Sequence, residues 1–319
     1  MRWHPGVIVG KTALGLALKD VASTVAGRTS TSGFERETMR FSTILFGGLA
    51  LAAATPAFAQ DAAPPKPVTV TGSIGLVNDY RFRGVSQSDE NLAVQGGITI
   101  AHESGLYIGT WGSNLAGWGT FGGANMELDL IAGYKMPLGG GALDVGATWY
   151  MYPSGFDNTD FIEPYAKLSG TVGPVALLAG VAYAPKQQAL GPWYTSGASV
   201  AVGYDRVNAK DDNLYLWGDV SSGIPNTGLT VKAHVGHSNG NKGLGPFATS
   251  VSPTGEYWDW LFGADYVIPT TPLTLGVAYV DTDISKSESA YLQPSFSRGQ
   301  DGTGSIAGGK VLVSLTAAF

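Results

Sequence analysis

The sequence predicts an all-β chain: a transmembrane antiparallel up-and-down β-barrel of about 12 strands, placed after a cleaved signal peptide. Three observations predict it. Stretches of about ten residues alternate apolar with polar or small side chains, the two-residue period of a strand with unlike faces. The connections between them alternate between tight turns and longer polar loops. An export-type leader stands near one end and an aromatic residue closes the other.

Composition agrees. Of 319 residues 46 are glycine and only 14% are charged, where soluble domains carry about 25% charged residues. Hydrophobic residues at 44%, with 14 tyrosines, 12 phenylalanines and 8 tryptophans, supply enough apolar surface for a folded body. The chain has no cysteine, which excludes disulfides, thiolate nucleophiles and iron–sulfur sites, and 4 histidines allow at most a sparse metal site. No cofactor is expected. A formal net charge of −6 opposes nucleic acid as a partner.

Met39-Arg40-Phe41-Ser42 and the apolar run Thr43–Ala54 lead into Thr-Pro-Ala-Phe-Ala, with small residues Ala57 and Ala59. This is the pattern of a signal peptide over 39–59, cut after Ala59. Its apolar run is shorter than the roughly 20 residues of a spanning helix. Residues 1–38 precede a leader with its own methionine and are expected to be a misassigned N-terminal extension. Removing 1–59 leaves 13 basic against 22 acidic residues, a more acidic chain. Residues 60–67, rich in proline, form a periplasmic tether, and 68–319 the outer-membrane β-barrel.

The strands are expected near 68–83, 92–102, 105–114, 125–136, 142–152, 160–172, 174–184, 212–222, 228–238, 256–268, 272–284 and 309–319. In 125–136 the even positions Met126, Leu128, Leu130, Ala132 and Tyr134 are oily, while the odd ones carry Glu127, Asp129 and Lys135. Likewise Trp258, Trp260, Phe262 and Tyr266 oppose Asp259, Gly263 and Asp265. An even strand count with short periplasmic turns and long outer loops is the rhythm of a closed barrel, which leaves no backbone edge unsatisfied in lipid. Residues 185–211 are assigned to the fourth outer loop, since a strand there would spoil the alternation of turns.

A soluble β-sandwich also yields period-two strands. Aromatics near strand ends (Tyr80, Phe82, Trp149, Tyr183, Trp258, Tyr266, Tyr279) favour the barrel, as an interfacial girdle. So does the last strand, with Val311, Val313, Leu315, Ala317 and Phe319 on one face. A leader at one end and this strand at the other suit export to the outer membrane of a Gram-negative bacterium, with barrel-assembly machinery taking the Phe319 strand. Outer-membrane lipid and lipopolysaccharide are the surroundings expected there.

Several segments are more specific. These are Asn78–Ser88 (NDYRFRGVSQS) with Ala93–Gly97 (AVQGG), Trp111–Asn114 (WGSN), Glu127–Tyr134 (ELDLIAGY) and Leu275–Asp283 (LGVAYVDTD). On them the chain resembles the TorF-type porins of proteobacteria over most of 70–319. The longer loop 185–211 and glycine-rich 299–309 depart from the short form of that family. The resemblance implies an outer-membrane barrel with a pore function.

Turning the oily face to lipid puts Asp79, Arg81, Arg83, Gln95, Glu127, Asp129, Lys135, Asp144, Glu163, Lys167, Asp219, Lys232, His234, Asp259 and Asp265 in the lumen. Twelve strands fall between the filled eight-stranded barrel and the open channel of sixteen. The expectation is a narrow, charge-lined path for small hydrophilic solutes or ions, with a weak cation preference from eight carboxylates against five Lys and Arg. The alternative is that these charges pair and plug the lumen, leaving a structural or adhesive barrel. Arg81 and Arg83, two apart on the first strand, either grip an anionic group or pair with Asp79 or Glu127. A barrel enzyme acting on lipid is weighed on His237-Ser238, but adjacent strand residues face opposite sides and cannot share a proton. Asp281–Ser285 opens like a calcium loop, yet its sixth position is Lys286 where glycine is required.

Overall fold

The structure is a computed structural model and describes residues 67–117, 123–155, 159–191, 210–240, 251, 254–289 and 305–319. The signal peptide and upstream extension expected at 1–59, and most of loop 185–211, lie outside the described residues. Period-two segments become strands because each can satisfy its backbone only across two neighbours, while its two faces meet different surroundings.

The strands are β1 (Val68–Val77), β2 (Arg81–Phe82), β3 (Val85–Ser86), β4 (Ala93–His102), β5 (Leu106–Asn114), β6 (Met126–Leu138) and β7 (Gly141–Met151). They continue with β8 (Phe161–Val172), β9 (Val175–Gln187), β10 (Asp211–Gly223), β11 (Leu229–Gly240), β12 (Glu256–Val267), β13 (Leu273–Thr282) and β14 (Lys310–Ala318). All but β2 and β3 form one closed barrel of twelve antiparallel strands in sequence order, shut where β1 pairs with β14. Among the described residues no helix is long and apolar enough to cross a membrane; the crossing is made by strands.

Faces segregate as the alternation requires. Leu130, Trp149, Tyr183, Trp258, Phe262 and Tyr279 point outward and are exposed, while Glu127, Asp129, Glu163, Lys167, Asp259 and Asp265 point inward and are buried. A belt of exposed apolar side chains around a closed sheet is the surface a bilayer covers. This is a transmembrane β-barrel.

The first strand departs from the sequence expectation. β1 stops at Val77, and the chain turns into the lumen instead of continuing to residue 83. Asn78 ends it: its amide donates to the Val311 carbonyl at 3.1 Å and its oxygen accepts from Val313 N–H at 2.8 Å, taking the next rung of β14 with a side chain. Arg83 and Gly84 then reverse the direction with φ of 48° and 80°, the two positive values of a two-residue hairpin turn. A Cβ at Gly84 would strike Thr282 and Asp259. β2 and β3 are thus a small hairpin inside the barrel. Tyr80 and Phe82 belong to this insert and not to the outer girdle; Tyr80 is fully buried and Phe82 half-buried.

Four inward aromatics lie flat against the wall. Tyr107 covers Gly133, Tyr165 covers Gly146, Trp217 covers Gly180 and Tyr215 covers Gly236, each ring occupying the volume a Cβ would need on the next strand. The Tyr107 and Tyr165 rings lean toward each other over two glycines paired in register, and their hydroxyls meet. Side chains folded against the wall leave space along the axis.

Candidate functional site

Two regions divide the lumen. At the long-loop end, Tyr80 and parts of the loops pack with Trp111, Ile131, Tyr150, Phe161 and Leu190 into an apolar core. Toward the short turns a cavity of about 180 Å³ remains, roofed by Arg81–Gly84 of the hairpin and walled by charged and aromatic side chains of β7–β13.

The hairpin is held by polar contacts of short range. Arg81 is fully buried; its Nε lies 2.5 Å from Asp79, and its Nη1 donates to the carbonyls of Gly84, Ile306 and Gly308 at 2.8–3.0 Å. Its Nη2 reaches Glu90 at 3.2 Å, which also accepts from Lys310 at 2.7 Å. Ser86 donates to Asp79 at 2.5 Å, and the Ser86 N–H donates to the Ile306 carbonyl at 2.8 Å. Residues 305–307, which lie between the expected strands 272–284 and 309–319, therefore turn back and brace the hairpin, with Ile306 and Ala307 fully buried. Of the two sequence options for Arg81, pairing with Asp79 is the one found.

Arg83 lies apart from Arg81. Its Nη2 donates to both oxygens of Glu163 at 2.7 Å, and the Tyr257 hydroxyl donates to its carbonyl at 2.9 Å. The expectation that both arginines share one face of a barrel strand is corrected: they stand on an inserted hairpin, where Arg81 ties the insert to residues 306 and 308 and Arg83 reaches Glu163 on the wall.

The remaining candidates also face inward. Lys167 lies 3.4 Å from Asp144, which accepts from the Tyr107 hydroxyl at 2.7 Å and pairs in register with Lys135. Lys232 donates to both oxygens of Asp265 at 2.9 Å. His234 stands between carboxylates, with Nδ1 2.6 Å from Asp219 and Nε2 3.3 Å from Asp259. The Tyr215 hydroxyl donates to Asp259 at 3.1 Å and lies 2.9 Å from His234 Nε2. Gln95 lies 3.4 Å from Ser113. Most cavity charges have a partner of opposite sign, so the wall is polar but locally balanced.

Two carboxylates are exceptions. Glu127 accepts only from the Tyr80 hydroxyl, at 3.1 and 3.2 Å, among the hydrogen bonds of the described residues. Asp129, 0% exposed, has no hydrogen-bond partner on either oxygen, and its register neighbours are Trp111 and Tyr150. A buried polar group without a partner costs stability. Asp129→Leu is therefore expected to stabilise the barrel by about 1–3 kcal/mol. The urea-unfolding midpoint in lipid vesicles checks this; a fall in the midpoint contradicts it.

Sequence reasoning missed Tyr165, Tyr215 and Trp217 as cavity walls. The available signal was parity: Tyr165 lies between Glu163 and Lys167 in the inward series, and Tyr215 and Trp217 precede Asp219 in theirs. The hydrolase geometry does not assemble at His237-Ser238. His237 packs on Trp258 and contacts Glu256 at 3.1 Å, whereas Ser238 is buried on the other face. Asp281 and Asp283 spend oxygens on local partners, the Tyr279 hydroxyl and the Trp258 N–H.

A family model described as "Bacterial protein of unknown function (Gcw_chp)" matches residues 61–319. The chain belongs to this family. No curated protein matches it. Among solved structures it is similar to the outer membrane channel DcaP of Acinetobacter baumannii, with 12% identity, 79% of this chain and 97% of that one covered, and a TM-score of 0.38. The COG4313 outer membrane channel from Pseudomonas putida F1 gives 11% identity, 81% and 97% coverage, and 0.37. The translocator domain of the autotransporter NalP from Neisseria meningitidis gives 13%, 80% and 89%, and 0.39. Likeness at this level does not transfer a function, so the function of this Gcw_chp member rests on its own lumen.

Proposed function

We propose that this protein is an outer-membrane channel for passive diffusion of small hydrophilic solutes or ions, with a weak cation preference. The observation that carries the reading is the cavity of about 180 Å³ walled by charged side chains inside a closed twelve-strand wall. A barrel serving only as an anchor gains most by filling its interior with packed side chains, as the smallest barrels do. Here Lys167, Asp219, Lys232, His234 and Asp265 face open volume instead. The acidic surplus of the inward series supports the cation preference, because rings of charge set selectivity. The likeness of Asn78–Ser88 and the later segments to TorF-type porins supports the same reading. Export through the 39–59 signal and handover of the Phe319 strand to barrel-assembly machinery belong to this proposal.

The inserted hairpin favours a second reading, a closed structural barrel, because it and the apolar core occupy the long-loop end. Planar-bilayer recording of the purified protein separates the two. Discrete conductance steps with a reversal potential displaced toward the cation are expected for the channel. Silence from the native protein would overturn it, and conduction that appears only in a form lacking the hairpin would favour the closed barrel.

A further inference from the structure

Arg83 is a cation that the barrel wall already binds. Both oxygens of Glu163 accept from its Nη2 at 2.7 Å, and its guanidinium carbon lies 4.1 Å from the ring centroid of Tyr215 and 4.8 Å from that of Phe82. Only 6% of its side chain is exposed. A cation placed over the faces of two aromatic rings is the contact that suits a weakly hydrated guanidinium better than an ammonium, while the carboxylate supplies the countercharge. Glu163 and Tyr215 stand on β8 and β10, strands held on both sides by the barrel ladder, whereas Arg83 is the first residue of a two-residue turn at positive φ.

The seat also opens on a path. Arg83, Glu163 and Tyr215 all line the cavity of about 180 Å³, with Asp219, Asp259 and Asp265 farther round its wall. That volume is on the order of six water molecules, enough for a small organic cation. Arg81 is a different case, because carbonyls of residues 84, 306 and 308 surround it and tie it to the hairpin itself.

The geometry points to a binding site for small organic cations bearing a guanidinium group, built by Glu163 and Tyr215, with Arg83 as its tethered occupant. A solute arriving from the cavity exchanges with the Arg83 side chain, while the hairpin backbone stays fixed through Arg81 and Ser86. This rests on the channel reading for access and names the solute class of the same lumen.

The test is chemical rescue in detergent, which needs no conduction. Arg83→Ala empties the seat, and millimolar methylguanidinium is then expected to raise its thermal unfolding midpoint by several degrees, as a ligand that binds only the folded state does. Equal concentrations of sodium chloride and urea are expected to leave the midpoint unchanged, and R83A/E163Q is expected to lose the response. Arg83→Gln serves in the same comparison if the alanine variant does not fold. An unmoved midpoint, or an equal rise in the double variant, overturns the site. Because the readout is stability, a silent bilayer bears on the channel reading alone.

Discussion

Replacing residues 79–90 by a short glycine–serine link is expected to raise single-channel conductance severalfold while the barrel stays folded. None of those residues belongs to the barrel ladder: Val77 and Ala93 are already register partners on β1 and β4, so a short link joins them. The excision removes Arg81 and Arg83, and with them the roof of the cavity. It also returns water to Asp129 and Glu127, which the inserted hairpin now helps to bury. The excised segment carries the carboxylates of Asp79, Asp89 and Glu90 as well as Arg81 and Arg83, while Glu127, Asp129, Glu163 and Asp259 remain on the wall, so the reversal potential in a potassium chloride gradient is expected to stay on the cation side. Unchanged conductance would mean that the insert does not lie on the conduction path.

The second large effect concerns the outer surface. Phe262 is near the middle of β12, points outward and is 66% exposed. Phe262→Arg is expected to destabilise the barrel by roughly 2–4 kcal/mol, the penalty for arginine at the bilayer midplane. Asp265→Asn, on the inner face of the same strand, is expected to cost less, since it removes one ion pair in a partly wet lumen. Urea unfolding from lipid vesicles measures both. A neutral Phe262→Arg would show that this face does not meet acyl chains.

The strands are legible in the sequence because each separates two chemically different surroundings. In β6 the even residues from Met126 to Tyr134 meet lipid and the odd ones from Glu127 to Lys135 meet the lumen, and the alternation stops where both faces leave the wall. The hairpin is hidden by the same rule. Tyr80, Arg81, Phe82 and Arg83 alternate aromatic with charged side chains in phase with the two-residue period of β1, so period alone reads them as more strand. What breaks it is Asn78, whose side chain imitates a rung, and Arg83-Gly84, a turn pair with glycine second.

The candidate site is legible only as a list of inward residues. Which charge meets which depends on diagonal neighbours across strands: Lys232 sits opposite Gly263 in register yet reaches Asp265. Pairing of Arg83 with Glu163 joins residues 80 positions apart through an insertion that periodicity conceals. The isolation of Asp129 is equally invisible, because it follows from what the hairpin and the aromatic rings exclude.

A cylinder made from one ribbon has a single line where its ends meet. Between β1 and β14 that line has five register pairs, Ser73 to Val77, against ten between β1 and β4. It is tied at the lower end by reciprocal backbone bonds between Gly72 and Phe319 at 2.8 and 2.9 Å, and at the upper end by the Asn78 side chain. With the fewest rungs to break, this joint is where heat or mechanical tension is expected to part the staves first. It is also the zipper that only the arrival of the final strand can fasten.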